Sequence, residues 1–353
     1  MKKIILLIVI IFLGGCYDYV EINDLAFISS VGIDYQNDEY LLTVEILSDT
    51  KQGENEAKKK SSTISGNGAT LAKAFDNIAL KIDKNAYYHH LKAIILSKEV
   101  AQNHLEEIVD YLVRNPKIRN EFFLTIAIEK DAKDFITASN DTNPVIGDEI
   151  TEAVETGYYN TAYNKSFEDF LARLINTRTE AVATTLNLED DKIAIEGVAL
   201  FKDFSYVKTL SPDDSAIFNI LANYETNYLI TKSYDDLPLS VKVYSSKVNY
   251  DFKGNKIKVN IDLLGEIVEN ASNLNLKDED TYKKINVEYA DIITKDFNRV
   301  LGELKNDNID ALGLNNIQYK KSKKEQKNLL ENADFEVNVK LTINRKGLIF
   351  EVD

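Results

Sequence analysis

The residues that could do chemistry start with one cysteine. Cys16 is the single thiol among 353 residues, and it closes the run Leu13-Gly14-Gly15-Cys16. A large apolar residue, two small ones and a cysteine make a lipobox. A thiol is the group that takes a diacylglyceryl thioether, and small residues before it let a signal peptidase close on the backbone. Gly14, at the second position, stands where Ala or Ser is commoner. Lys2 and Lys3 supply a positive flank, and Ile4 to Leu13 is an unbroken apolar run of ten. A spanning helix needs about 20 apolar residues, so this run has the proportions of a signal peptide that is removed before Cys16. One acyl chain holds a protein to a bilayer only marginally, whereas two palmitate-type chains hold it stably, at about 0.8 kcal/mol per buried CH₂. With Cys16 consumed by lipid, no disulfide and no cysteine-based metal site remains.

Other reactive side chains are sparse. The histidines are His89, His90 and His104. Adjacent residues in an extended chain point to opposite faces, so His89 and His90 would not share a metal. All three read as structural, and the sequence implies no metal and no cofactor. Patterns such as H-E-x-x-H, an EF-hand loop or G-x-S-x-G are absent. Ser65-Gly66-Asn67-Gly68 could cradle a phosphate between a strand and a helix. It is neither a dinucleotide fingerprint nor a Walker loop, since Leu71 stands where a third glycine would be. It reads as a helix-start turn. The pairs Asp213-Asp214 and Asp235-Asp236 fit a helix start and a loop without catalysis. No catalytic residue is assigned.

The elements that would position these residues follow from periodicity. A β-hairpin is expected over 25–48, turning at Gln36-Asn37-Asp38. The polar run 49–62 reads as an exposed loop. Helices are expected over about 69–82 and 98–113, with strands at Leu91–Leu96 and Phe122–Ile128, an alternation that suggests an α/β layer. Residues 131–175 look helical. Ser166 is placed to cap a helix over 167–175, with Asp169 completing a capping box. A Thr/Asn-rich stretch and Glu189-Asp190-Asp191 mark a boundary. Beyond it come a strand at 194–202, a helix started by Ser211-Pro212, a strand-rich part to about 268, a helix over about 279–305 and a final strand at 335–343. The long helix places Ile285, Tyr289, Ile293, Phe297, Val300 and Leu304 on one face. The expected fold is α+β: multidomain mixed sheets with packed helices. Its parts are a signal peptide (1–15), an N-terminal α/β domain (16–189) and a C-terminal α+β domain (190–353). In the last, 279–353 is a candidate third domain.

Composition limits the function. Apolar residues make up 44% of the chain and charged ones 28%, ordinary for a globular protein. The net charge of −15 argues against nucleic acid and against electrostatic adhesion to anionic lipid.

Several segments, in order, resemble the Ger(x)C family of spore germination lipoproteins. They are Cys16-Tyr17-Asp18, Glu21 to Ala26, Gly32-Ile33-Asp34, Ala74-Phe75, His90 to Ser97, Tyr111 to Arg119, Glu196 to Lys202 and Arg345 to Ile349. The resemblance implies a multidomain α+β fold with no enzymatic activity and a lipidated cysteine matched by Cys16. It implies the lipoprotein (C) subunit of a nutrient germinant receptor at the outer face of the spore's inner membrane. Its partners would be two membrane-embedded subunits, one similar to amino-acid transporters. Tyr17 stands where the family usually has Trp. The rival reading is a solute-binding lipoprotein of a transporter, which would show two similar α/β lobes around a ligand cleft. A lipid-anchored hydrolase is a third reading, and it would show a buried polar constellation.

Overall fold

Paired Asn and Asp residues organise the hairpins. Short polar side chains tolerate the left-handed backbone that a two-residue hairpin turn requires. A computed structural model of the chain describes residues 21–49, 59–138, 145–156, 161–224, 227–272, 274–276, 278–326 and 329–345. Cys16 and its leader lie outside the described residues. Asn37-Asp38 turns β1 (Leu25–Gln36) into β2 (Glu39–Asp49) with φ of 52° and 62°. Asp190-Asp191 does the same between β7 (Val182–Glu189) and β8 (Lys192–Lys202), at 49° and 60°. Asp235-Asp236 does so between β10 (Tyr228–Tyr234) and β11 (Leu237–Lys253), at 49° and 65°. The acidic pair at 235–236 is therefore turn chemistry. The acidic pair at 190–191 is likewise the turn of a hairpin, within one sheet.

That sheet has nine strands among the described residues, in the order β3-β2-β1-β5-β6-β7-β8-β9, with β4 beside β1. The remaining members are β3 (Lys59–Gly68), β4 (Asn85–Tyr87), β5 (Ala93–Ser97), β6 (Phe123–Ala127) and β9 (Ser205–Thr209). Pairing is parallel from β1 through β5 and β6 to β7, and antiparallel at both flanks. Alternate residues of β5 serve different layers. Ile94 and Leu96 join one core, while Ala93 and Ile95 join another on the opposite face. The first core is closed by α1 (Leu71–Ala79), α2 (Lys98–Asn103), α3 (Leu105–Arg114) and α6 (Phe167–Leu174). The second is closed by α4 (Ala132–Thr137) and α5 (Ile146–Thr156). Both faces are covered, as parallel strands require.

The second sheet has the order β10-β11-β12-β13, with β12 (Lys256–Asn270) parallel to β13 (Asp334–Arg345). The crossover between them carries α8 (Glu279–Asp307) and α9 (Leu314–Ser322). Asp278 caps α8 by accepting from Thr281 N at 2.8 Å, and Asn308 ends it in the left-handed conformation. Its six expected inward residues are all buried. The core under α8 also takes in Val182, Val198 and Leu200 of the first sheet and α7 (Pro212–Leu221). The two sheets thus share packed side chains.

Several expectations change. The helix expected over 98–113 is two helices broken at His104. The expected loop 49–62 gives way to β3 from Lys59, its central part lying outside the described residues. Ser65 to Gly68 belong to β3 and do not form a turn before a helix. The glycines are there for closeness: a Cβ at Gly68 would fall 2.6 Å from Ala74 N, so α1 rests directly on the strand backbone. Ser166 is the N-cap residue of α6, but its side chain makes no capping bond, and Asp169 does not complete a box because its carboxylate accepts the Tyr163 hydroxyl. Burying α8 dominates the second core. Phe297→Ala is expected to cost about 3–5 kcal/mol. Val287→Ala, on the solvent side of the same helix, should change stability by less than about 1 kcal/mol. Denaturant unfolding of the two variants checks this.

Candidate functional site

Three buried acids point at helix starts. Glu45, in the middle of β2, has no solvent exposure. Its carboxylate accepts Ile146 N at 2.7 Å, Gly147 N at 3.1 Å and Ser30 Oγ at 2.8 Å. Asp34 on β1 is 1% exposed and accepts Ala132 N at 2.7 Å and Lys133 N at 2.9 Å. Asp310, between α8 and α9, accepts Leu314 N at 2.7 Å, Asn315 N at 2.9 Å and Asn315 Nδ2 at 2.8 Å. The first turn of a helix has N–H groups with no partner inside the helix and carries the positive end of its dipole. Glu45, Asp34 and Asp310 satisfy that need for α5, α4 and α9. Glu45 and Asp34 work as clamps between elements about a hundred residues apart, and Asp310 as a local one.

Burial pushes the Asp34 carboxyl up to about 6. The Ala132 and Lys133 N–H groups oppose that rise, and the neighbouring charges of Asp131 and Asp134 add to it. Burial likewise raises Asp310 against the N–H bonds of Asn315 and Leu314. In both places loss of water outweighs the hydrogen bonds gained.

The residues singled out by sequence are scattered. Cys16 lies outside the described residues. His89 and His90 form a turn rather than extended chain, and both rings lie against Tyr87, with centroids 4.7 and 5.7 Å away. His90 also meets Phe27 at 5.6 Å. The buried His89 Nδ1 has no hydrogen-bond partner among the described residues. His104 stacks on Tyr35 at 3.9 Å, and its Nδ1 lies 3.5 Å from the Tyr40 hydroxyl. Among the described residues no three His, Cys, Asp or Glu side chains are grouped to hold a metal. Asp214 is paired with Arg299 of α8 and accepts Ser211 Oγ at 2.8 Å, joining α7 to α8. Sequence reasoning missed the three clamps. A lone acid inside an apolar strand, as in Leu41-Leu42-Thr43-Val44-Glu45-Ile46, was the available sign.

The geometry therefore offers anchored helices and surfaces, with the buried acids engaged by backbone. A sequence model of the spore germination protein N-terminal domain matches residues 18–188, and one of the spore germination B3/GerAC-like C-terminal domain matches 196–347. The chain belongs to the GerAC-like spore germination family. This GerAC-like chain is 21% identical to spore germination protein KC of Bacillus subtilis, over 98% of its own length and 94% of that protein. It is 23% identical to spore germination protein GerQC of Bacillus cereus, over 89% of each. The crystal structure of the GerBC protein superposes with a TM-score of 0.55 at 15% identity, over 89% of this chain and 96% of that one. That likeness confirms the mixed α+β fold. The family's two regions meet at the β7–β8 hairpin, so β8 and β9 of the C-terminal region complete the sheet of the N-terminal one.

The Asp34 clamp predicts a pH dependence. A carboxyl raised to about 6 keeps its proton in the folded state where the unfolded chain has lost it. Its contribution is therefore full below about pH 4 and is lost as pH rises towards 6, by up to about 3 kcal/mol. Asp34→Asn should flatten the fall of stability between those pH values, as read by denaturant midpoints across a pH series. Equal slopes in the two proteins would contradict this reading.

Proposed function

We propose that this GerAC-like chain is a lipid-anchored, non-catalytic subunit of a nutrient germinant receptor. Cys16 holds it at the outer face of the spore's inner membrane, where it acts with membrane-embedded partner subunits. The observation that carries the reading is the end-to-end match to spore germination proteins, on a chain that opens with a lipobox. The buried acids support the non-catalytic part, because their oxygens are engaged by helix N–H groups. Among the described residues no helix is long and apolar enough to cross a membrane; the proposed attachment is the lipid on the lipobox cysteine. Confinement to a thin layer raises the effective concentration beside partners, and modest interface affinity then suffices for assembly. The solute-binding alternative draws no support from the fold. Its two similar lobes have no counterpart in a nine-stranded mixed sheet beside a four-stranded one.

Two tests follow. Cys16→Ser should lose fatty-acid label and accumulate as unprocessed precursor in cells fed a fatty-acid analogue; equal label on both proteins would refute the anchor. Spores lacking this gene should fail to germinate with its nutrient yet respond to stimuli acting downstream of receptors. Normal nutrient germination in spores lacking this and all related lipoproteins would refute the receptor role.

A further inference from the structure

We infer that the end of the large sheet where β1 begins rests on the bilayer, and that a cleft there takes a phospholipid headgroup. This rests on the anchor reading above and adds an orientation and a ligand to it. Five residue steps separate Cys16 from Glu21, the first described residue. At 3.3–3.6 Å per residue the link spans no more than about 18 Å. Whatever surrounds Glu21 is therefore held close to the membrane.

The register shows what that is. Leu25 pairs with Asn85, so β1 and β4 start side by side. Parallel pairing brings the segment leading into β6 to the same end, and α1 and α3 end there too. Segments 21–24, 80–84 and 113–119 thus crowd together. They hold five cations (Lys81, Lys84, Arg114, Lys117 and Arg119) against three acids (Glu21, Asp24 and Asp83), and Arg114 is further paired with Asp110 of α3 at 2.7 Å. The whole chain has 42 cations against 57 acids, so this end reverses the local balance. It also shows bare apolar side chains: Ile22 is 72% exposed, Leu80 82% and Val113 52%. Cations beside exposed aliphatic side chains suit the headgroup and glycerol layer of a bilayer.

A cleft of about 300 Å³ opens at this end between α1, residues 84–88 and the end of α3. Its wall is aromatic: Phe75 stacks on Tyr111 at 5.0 Å and meets Tyr88 edge-on at 5.6 Å. Lys84 and Lys117 line it, and among the described residues neither ammonium has an ion-pair or hydrogen-bond partner. The Tyr111 hydroxyl accepts from Asn115 Nδ2 at 3.1 Å and keeps its own proton to donate. Two ammonium groups and a phenol suit a phosphodiester. Asp76 also lines the cleft, which suits a headgroup that ends in a donor: the hydroxyls of glycerol or the ammonium of ethanolamine. A choline headgroup offers no such donor.

The test uses the lipidated full chain in phosphatidylglycerol or phosphatidylcholine vesicles. Flotation reports anchoring, and lysine acetylation by an impermeant reagent, read by mass spectrometry, reports the face. Lys84 and Lys117 should react roughly fivefold more slowly on phosphatidylglycerol. Lys192, at the opposite end of the sheet, should react equally on both. Equal rates at Lys84 and Lys117 in floated protein would overturn the headgroup site and leave the anchor standing. Matching protection on phosphatidylcholine by added glycerol 1-phosphate would also overturn it, by marking a site for soluble phosphate. Failure to float would overturn the anchor and this orientation together.

Discussion

The structure depends on one close approach, at Gly197. This residue has φ of 154°, and a Cβ on it would fall 2.1 Å from Leu210 O. The strand β8 can therefore meet the entry to α7 only through a glycine. Ser215 fixes the joint, donating to Leu210 O at 3.2 Å and accepting Val198 N at 2.8 Å. From there α7 leads into the second sheet, and the Asp214–Arg299 pair ties it to α8. A second tie runs from the last turn of α6 and the segment after it: Arg173 donates to Ala311 O, and Glu180 N donates to Asp310 O at 3.1 Å. The two family regions are thus joined by a shared sheet, a shared core and hydrogen bonds between backbones.

Acidic residues do structural work throughout. The chain is strongly acidic, yet three of its buried carboxylates, Asp34, Glu45 and Asp310, sit where a helix start needs an acceptor. Removing one side of such a contact leaves buried N–H groups unpaired, at a cost of about 1–3 kcal/mol each. Because Asp34 and Glu45 lie on neighbouring strands and hold α4 and α5 over the same sheet face, the two clamps reinforce one another. A protein that serves by presenting surfaces needs its helices fixed more than it needs a reactive centre.

Much of this was legible in the sequence. The long helix was, because Ile285, Tyr289, Ile293 and Phe297 recur at steps of four on an otherwise polar segment. The Ser211-Pro212 helix start was, since cap and proline act locally. The hairpin at 37–38 was legible for the same reason. The strand β3 was not: Lys-Lys-Ser-Ser-Thr-Ile-Ser-Gly-Asn-Gly has hardly any apolar alternation, and it is a strand because β2 supplies its partner and α1 its cover. The break at His104 was hidden because Ala101, Leu105, Ile108 and Leu112 keep the helical spacing across it. The role of Asp190-Asp191 was hidden too, as an acidic pair in a polar stretch looks the same in a linker and in a hairpin. The clamps could not be found by spacing, since each joins residues far apart in sequence, except at Asp310. The family resemblance rested on residues with now visible reasons, Gly32 against Ala132 and Gly197 against Leu210 among them.

Joined domains and fixed helices, with the lipid proposed at Cys16, suit a subunit that would stand on a membrane and contact others there. That is the central claim, and it is a claim about company. Affinity isolation of the tagged protein from spore inner membranes, with identification of what co-purifies, tests it most directly. Multi-spanning germination proteins in the eluate, in constant ratio to this chain, are the result expected. Recovery of the chain alone, or with the subunits of a solute transporter, would contradict it.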